Sequence, residues 1–113
     1  PLQEVDSGPE TGKTVLLGWG STYGPIKTAA LELRNEGHEV SHIHLRYLNP
    51  FPKNLEYLLK GFDHVLVPEL NNGQLVSIIR SRFLIDAKGI NKVQGRPFGV
   101  QELKEHVLNH TQK

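Results

Sequence analysis

TVLLGWGSTYGPIKTAALELRNE, residues 14–36, decides how the chain must fold. Thr14 to Leu17 is a short apolar run that ends in glycine, as a buried strand does. Ile26, Ala29, Ala30 and Leu33 then recur at the spacing of one helical face. Pro25 suits the first turn of that helix and Gly37 its C-terminal cap. Strand, glycine turn and amphipathic helix follow one another without a break, which is half of a β–α–β unit.

The rest of the chain repeats this alternation. Val40 to Leu48 reads as a strand with Ile43, Leu45 and Tyr47 on one face and His42, His44 and Arg46 on the other. "NPFP", residues 49–52, breaks the chain. Lys53 to Phe62 then places Leu55, Leu58, Leu59 and Phe62 on one helical stripe. His64 to Val67 is a strand, and Gln74 to Asp86 a helix with Leu75, Ile78, Ile79 and Phe83 inward. Asn91 to Gln94 is a short strand before "GRPFG", and Val100 to His110 closes with a helix carrying Val100, Leu103 and Val107. Short strands alternating with helices of this length call for a mostly parallel sheet covered on both faces. The expected architecture is a three-layer α/β/α domain over residues 14–110. Before it lies a segment, residues 1–13, whose Leu2 to Asp6 makes an edge strand and a fifth member of a mixed sheet; residues 111–113 are a tail.

With 113 residues the chain fits one compact domain. Thirteen basic against twelve acidic residues leave a net charge of +1, which gives no long-range field for nucleic acid or an anionic membrane. The chain has no cysteine, which removes disulfides, thiolate-bound zinc, iron–sulfur ligation and a cysteine nucleophile. No stretch approaches the roughly 20 apolar residues of a membrane span, and a cytoplasmic setting is the expectation. The absence of methionine and the start at Pro1 are read as a piece of a longer polypeptide, the alternative being removal of an initiator methionine.

The candidate sites lie in the loops that follow the strands, at the carboxyl edge of the sheet, where folds of this kind bind ligands or partners. Gly18 to Gly24 runs G-x-G-x-x-x-G, which is not the dinucleotide fingerprint. It reads as a tight turn beside Trp19, or, through Gly20 and Ser21, as a contact for an anion or a neighbouring domain. His42 and His44 have the spacing of two metal ligands, but no third ligand accompanies them; a polar strand face indicates instead an edge position or a polar partner surface. "RYLNPFP", residues 46–52, makes Arg46, Pro50 and Pro52 a candidate docking surface, or else a rigid connection with Phe51 folded onto the core. In "PELNNGQL", residues 68–75, Asn71 can cap the next helix while Gln74 reaches back. Glu69 is left needing donors or a cation, for which Arg46, Arg80 and Arg96 are candidates. No nucleophile–base–orienter set appears, so the edge reads as a binding surface without its own chemistry.

Together "LLGWGSTYGPI", "HLRYLNPFP", "VPELNNGQL", "IRSRFL" and "GRPF" resemble the C-terminal domain of the alpha subunit of 2-oxoacid:ferredoxin oxidoreductases, the 2-oxoglutarate type in particular, from about residue 10 to residue 108. That domain is similar to the transketolase C-terminal domain, whose mixed sheet often includes one antiparallel strand. The resemblance implies oxidative decarboxylation of a 2-oxoacid on thiamine diphosphate with Mg, acyl transfer to coenzyme A, and electron delivery through an iron–sulfur cluster to ferredoxin. It implies no cofactor bound by this domain alone. The partners it implies are the remaining domains of the alpha subunit and the beta subunit. It marks Glu69, Asn71, Gly73 and Gln74 as most recognisable, with Gly20, Ser21, Arg46, Pro50 and Pro52 alongside, as organisers of the docking edge. A further expectation is that Arg46, Arg80 and Arg96 hold coenzyme A phosphates in an interdomain crevice. The alternatives are the C-terminal domain of another thiamine-diphosphate enzyme and a stand-alone α/β interaction domain.

Overall fold

A computed structural model describes residues 2–70, 73–92 and 97–111. Its elements, in chain order, are β1 (Gly12–Trp19), a 3-10 turn (Gly20–Thr22), α1 (Tyr23–Asn35), β2 (Val40–Leu45), α2 (Leu55–Leu59), β3 (Phe62–Leu70), α3 (Gln74–Phe83), β4 (Lys88–Lys92) and α4 (Val100–Thr111). The strands form one sheet in the order β2-β1-β3-β4, every neighbouring pair parallel. Among the described residues the sheet thus has four strands where five were expected.

Side-chain alternation divides the core into two layers. Val15, Leu17, Ile43, Leu45, Val65 and Val67 meet Leu55 and Leu59 of α2 and Leu75, Val76 and Ile79 of α3. On the opposite face Leu16, Val40, Leu66 and Ile90 meet Ile26, Ala29, Ala30 and Leu33 of α1 and Leu103 and Val107 of α4. Burial of each such aliphatic side chain contributes on the order of 1.5–3 kcal/mol. The three-layer α/β/α architecture follows. In α3 the inward residue is Val76 rather than Ile78, which is exposed. Helix α1 ends in a Schellman motif, its last carbonyls taken by Gly37 N–H (to Arg34, 3.0 Å) and His38 N–H (to Leu33, 2.9 Å).

Several boundaries differ from the sequence reading. Strand β2 ends at Leu45 rather than Leu48, so Tyr47, expected on the face of Ile43 and Leu45, is exposed beyond it, and α3 ends at Phe83 rather than Asp86. Helix α2 is five residues long, because Phe62 starts β3, opposite Gly12, instead of ending a helix. Strand β3 runs on through Pro68 and Glu69; its pairing with β1 ends at Leu66, so Pro68 lies where β3 is paired only to β4 and its missing N–H breaks no ladder to β1. Strand β4 begins at Lys88, three residues before the predicted start, and residues 93 and 94 of that prediction lie outside the described residues.

The amino-terminal segment protects the sheet by another means than the predicted strand. Leu2 to Asp6 is irregular, and one antiparallel bridge joins Ser7 to His42 on the outer edge of β2. His42 N–H donates to Ser7 O (2.9 Å), and His42 O accepts from Asp6 N (2.8 Å) and Ser7 N (3.2 Å). One residue pair further on, side chains replace backbone: Asp6 Oδ1 accepts His44 N–H at 2.7 Å and Gln3 Nε2 donates to His44 O at 2.9 Å. Gln3 is held in turn by two 2.8 Å hydrogen bonds with Asn54. Edge polar groups are satisfied without offering a straight strand to a neighbouring molecule. Asp6→Ala removes the acceptor of a nearly buried amide and should lower unfolding free energy by about 1–3 kcal/mol in urea titrations, with Asp6→Asn, which keeps an acceptor oxygen, losing less; equal stability of Asp6→Ala and the parent would refute the cap.

Candidate functional site

Strand order and connection place a crevice at the carboxyl edge. From β1 the chain leaves over the α1 face, from β3 over the α3 face, and β1 and β3 are neighbours. Their pairing stops at Leu16 and Leu66, while β1 continues beside β2 to Trp19 and β3 beside β4 to Leu70. The two strands therefore part at the topological switch point, the position where open α/β sheets take ligands. A cavity of about 150 Å3 lies there, lined by Trp19, Gly20, Ser21, Thr22, Glu69 and Leu70.

One wall is the turn from β1 to α1. Thr22 Oγ1 donates to Trp19 O at 2.8 Å and closes the 3-10 turn. A Cβ on Gly18 would come 2.5 Å from Ile26 Cδ1 and 3.0 Å from Thr22 Oγ1, so any side chain here would have to push aside the buried Ile26 methyl and the hydroxyl that closes the turn. Gly20 and Ser21 are exposed at the mouth.

The other wall is Glu69, 2% exposed at the end of β3. Its Oε1 accepts Leu75 N–H at 2.8 Å and its Oε2 accepts Val76 N–H at 3.0 Å. The carboxylate thereby satisfies two of the orphan amides of α3 and places a negative charge at the positive end of the helix dipole. Gly73 stands at the N-cap with φ +70 and carries no side chain to cap with. Asn71, the expected cap, lies outside the described residues; Gln74, expected to reach back, is exposed, and the amides of Leu75 and Val76 are capped from the strand. Nor is Glu69 held by an arginine among the described residues. Arg46 Nη1 lies 3.5 Å from Asp6, and Arg80 Nη1 lies 3.9 Å from Asp86 and donates to Ala87 O at 3.2 Å. Arg80 is in the last turn of α3, at the end of the helix away from Glu69 and from Arg46 at the end of β2. The two do not converge on one phosphate. Arg96 lies outside the described residues.

Arg46, Pro50 and Pro52 form a second group beyond β2. Pro50 and Pro52 line a groove of about 400 Å3 with Leu2, Tyr47, Phe51 and Lys53. Phe51 is half-buried against Phe83, ring centres 6.0 Å apart, so this loop is anchored to the core by the aromatic itself.

His42 and His44 form a polar nest under α1. Their rings stand 5.7 Å apart, and Tyr23 contacts both at 5.3 and 5.0 Å. Both ring nitrogens of His42 and Nδ1 of His44 are buried without a hydrogen-bond partner. Among the described residues no group of three His, Cys, Asp or Glu can hold a metal ion. The polar strand face is the edge position that the sequence analysis gave as one of two explanations, since β2 is an outer strand. Tyr23 and Asp6, the residues that cover and clamp this nest, had no local sequence signal; each acts on a strand that lies tens of residues away.

The geometry defines a transketolase-type α/β domain whose switch-point crevice is walled by its own carboxylate. A solved split-gene transketolase, 15% identical, superposes over 97% of this chain and 41% of its own with a TM-score of 0.71. The chain belongs to the family of the pyruvate:ferredoxin oxidoreductase core domain II, whose model matches residues 12–103. It is 45% identical over 103 residues to the 2-oxoglutarate oxidoreductase subunit KorA of Mycobacterium tuberculosis, covering 91% of this chain and 16% of that protein. It is 37% identical over 108 residues to the alpha subunit of 2-oxoacid:ferredoxin oxidoreductase 1 of Aeropyrum pernix, covering 90% of this chain and 17% of that one. It therefore spans about a sixth of the length of these relatives. The structure of the 2-oxoglutarate:ferredoxin oxidoreductase of Magnetococcus marinus, with 2-oxoglutarate, coenzyme A and succinyl-CoA bound, matches 98% of this chain and 20% of its own with 26% identity and a TM-score of 0.89.

Two measurements follow. Glu69→Ala leaves two buried amides unpaired and should cost about 2–4 kcal/mol; formate, but not chloride at equal ionic strength, should raise its melting temperature by re-entering the amide cradle, and an equal response to both salts would count against it. Burial lowers the His42 pKa from 6.5 to about 4, opposed by the Asp6 carboxylate and reinforced by His44, Arg34 and Lys27; burial likewise lowers that of His44. Because the folded pKa lies below the unfolded one, stability is full above pH 6.5 and falls as the pH drops toward 4, by up to about 1.4 kcal/mol per pH unit per group. His42→Leu should flatten the dependence of the urea midpoint between pH 7.5 and 5 and leave stability at neutral pH unchanged or raised; a profile as steep as the parent's would remove the histidine as its cause.

Proposed function

We propose that this domain is a non-catalytic part of the alpha subunit of a thiamine-diphosphate-dependent 2-oxoacid:ferredoxin oxidoreductase acting on 2-oxoglutarate in the cytoplasm. Its role is to present the carboxyl edge of its sheet to the other domains of that subunit and to the beta subunit. The 45% identity to a 2-oxoglutarate oxidoreductase subunit over nearly the whole chain carries the reading. The residues support its non-catalytic half. The amide cradle at the start of α3, which would suit a diphosphate, is taken by Glu69. The chain supplies no cysteine for an iron–sulfur cluster and, among its described residues, no metal-binding group. On this reading thiamine diphosphate, Mg and the cluster are held by the rest of the enzyme. What the chain's own residues do is hold shape: Glu69 locks α3 to β3, and Gly18 lets α1 start against β1, so Trp19, Gly20, Ser21 and Gln74 are displayed on a fixed frame.

The bound coenzyme A of the Magnetococcus marinus structure favours one addition. Arg46, 62% exposed at the carboxyl edge and paired with Asp6 at 3.5 Å, is the arginine that would meet a phosphate of that molecule, whereas Arg80 lies at the opposite end.

The test is purification of the full-length alpha subunit with its beta partner and assay with 2-oxoglutarate, pyruvate, coenzyme A and ferredoxin. Reduction of ferredoxin with 2-oxoglutarate by the assembly is expected, and none by this domain alone. The double variant Trp19→Glu, Ser21→Glu, at two exposed positions, should reduce recovery of the beta subunit by about tenfold without lowering the melting temperature of the domain. Unchanged recovery and turnover would overturn the docking role; no ferredoxin reduction with any 2-oxoacid would overturn the enzyme assignment.

A further inference from the structure

Two segments of unequal strength border the histidine nest of β2. Tyr23, whose ring meets both imidazoles, belongs to α1, and α1 is fixed by Ile26, Ala29, Ala30 and Leu33 in the core. The other is the strap Gln3 to Pro9, which lends half-buried Val5 to the core and is otherwise held by hydrogen bonds. Asp6 N, Ser7 N and Ser7 O pair with the backbone of His42, and Asp6 Oδ1 and Gln3 Nε2 with the backbone of His44. Further along, Ser41 Oγ donates to Pro9 O at 2.5 Å. The strap is therefore fastened mainly to the two residues whose rings form the nest.

A cation in this nest has no ready partner. A neutral imidazole offers one donor and one acceptor, an imidazolium two donors. Both ring nitrogens of His42 and Nδ1 of His44 are buried without a hydrogen-bond partner, as is Ser7 Oγ in the strap. Around the rings α1 brings the Lys27 ammonium and the Arg34 guanidinium, β2 brings Arg46, and the strap brings Asp6. Leu16 and Gly18 of β1, in register with His42 and His44, carry no charge. Asp6, the carboxylate of this group, already accepts His44 N–H at 2.7 Å and lies 3.5 Å from Arg46. The Gly20 backbone supports a charge on His44 and is not a partner of His42.

We propose that Gln3 to Pro9 is a proton-sensitive latch: protonation of His42 and His44 releases the strap from β2 while the sheet and its helices stay folded. A charged imidazole needs water, and the strap is the wall that can move aside without opening the core. Release uncovers the outward amides and carbonyls of His42 and His44, which the strap otherwise satisfies. Burial holds both histidines below the ordinary value of 6.5, His42 at about 4. The pKa is thus lower with the strap docked than with it released. Docking is complete above pH 6.5 and weakens as the pH falls toward 4, by about tenfold per pH unit for His42. Loss of structure in acid is thereby local before it is global.

The test is hydrogen–deuterium exchange on the full-length protein that contains this chain, at pH 7.5 and 5.5, with labelling times scaled to the intrinsic exchange rate at each pH. Protection of the Asp6, Ser7, His42 and His44 amides should fall by about tenfold or more at pH 5.5. The amides of Val15 to Leu17 and Val65 to Val67 should keep theirs. His42→Leu, and His42→Gln, which stays polar but does not titrate, should each remove most of the fall. Equal loss at strap and core amides means global unfolding and overturns the latch. Unchanged protection of the strap amides in the parent overturns it too, and so does a fall in either folded variant as large as the parent's. Where a variant does not fold, the contrast between strap and core amides in the parent decides alone.

Discussion

The carboxylate of Glu69 on the first amides of α3 is the contact on which the domain's shape depends. A serine or aspartate at the N-cap satisfies one amide from within the helix's own chain and contributes about 1 kcal/mol. Glu69 satisfies two, at 2.8 and 3.0 Å, from the end of the preceding strand. It therefore fixes where α3 begins, and also its height above the sheet. Leu75 and Val76, whose amides it holds, are the first two core residues of the helix, so the polar anchor and the apolar face are set by the same two positions. A neutral amide in its place would face one backbone N–H with a second N–H, which is why a carboxylate suits the position.

The same contact settles what the switch-point crevice can do. In open parallel sheets a helix start beside parted strands is a ready anion site. Here the anion is built in. The remaining space, about 150 Å3, is small against ordinary ligand pockets of several hundred. The carboxyl edge keeps its geometry, and the amides of Leu75 and Val76 are no longer open to an external anion. At the far side of the sheet the amino-terminal segment does for β2 what Glu69 does for α3: Asp6 and Gln3 supply the hydrogen bonds that a fifth strand would have given.

Much of this was legible in the sequence because it rests on local pattern. The alternation of apolar runs and 3.6-residue stripes sets the layers, and the two-residue period of β2 separates Ile43 and Leu45 from His42 and His44. What escaped was set by contacts between backbone and distant side chains. Glu69 looked in need of an arginine because side-chain charges can be counted in a sequence, whereas the amides of a helix that has not yet been placed cannot. Leu2 to Asp6 was expected as an edge strand, but the hydrogen bonds it makes to His44 come from the Gln3 and Asp6 side chains, which no propensity scale represents. Val76 and Ile78 flank the stripe of Leu75, Ile79 and Phe83 on opposite sides, and which of them turns inward is set by the capping contact rather than by the spacing. Asn71 and Arg96 lie outside the described residues.

The cost of the His42–His44 nest bears on why this edge is built as it is. The two ring nitrogens of His42, buried without partners, oppose folding by on the order of 1–3 kcal/mol each. Apolar residues at 42 and 44 would remove that cost, yet they would also make β2 an outer strand with a continuous apolar face, the pattern that pairs with other chains. Polar rings that tolerate burial only beneath Tyr23 and beside Asp6 make the edge stable when the amino-terminal segment is in place and unfavourable to form without it. The strand is thereby tied to one partner, its own chain. The backbone edge of β2 is thereby closed while Tyr47 and Trp19 remain exposed near its carboxyl end.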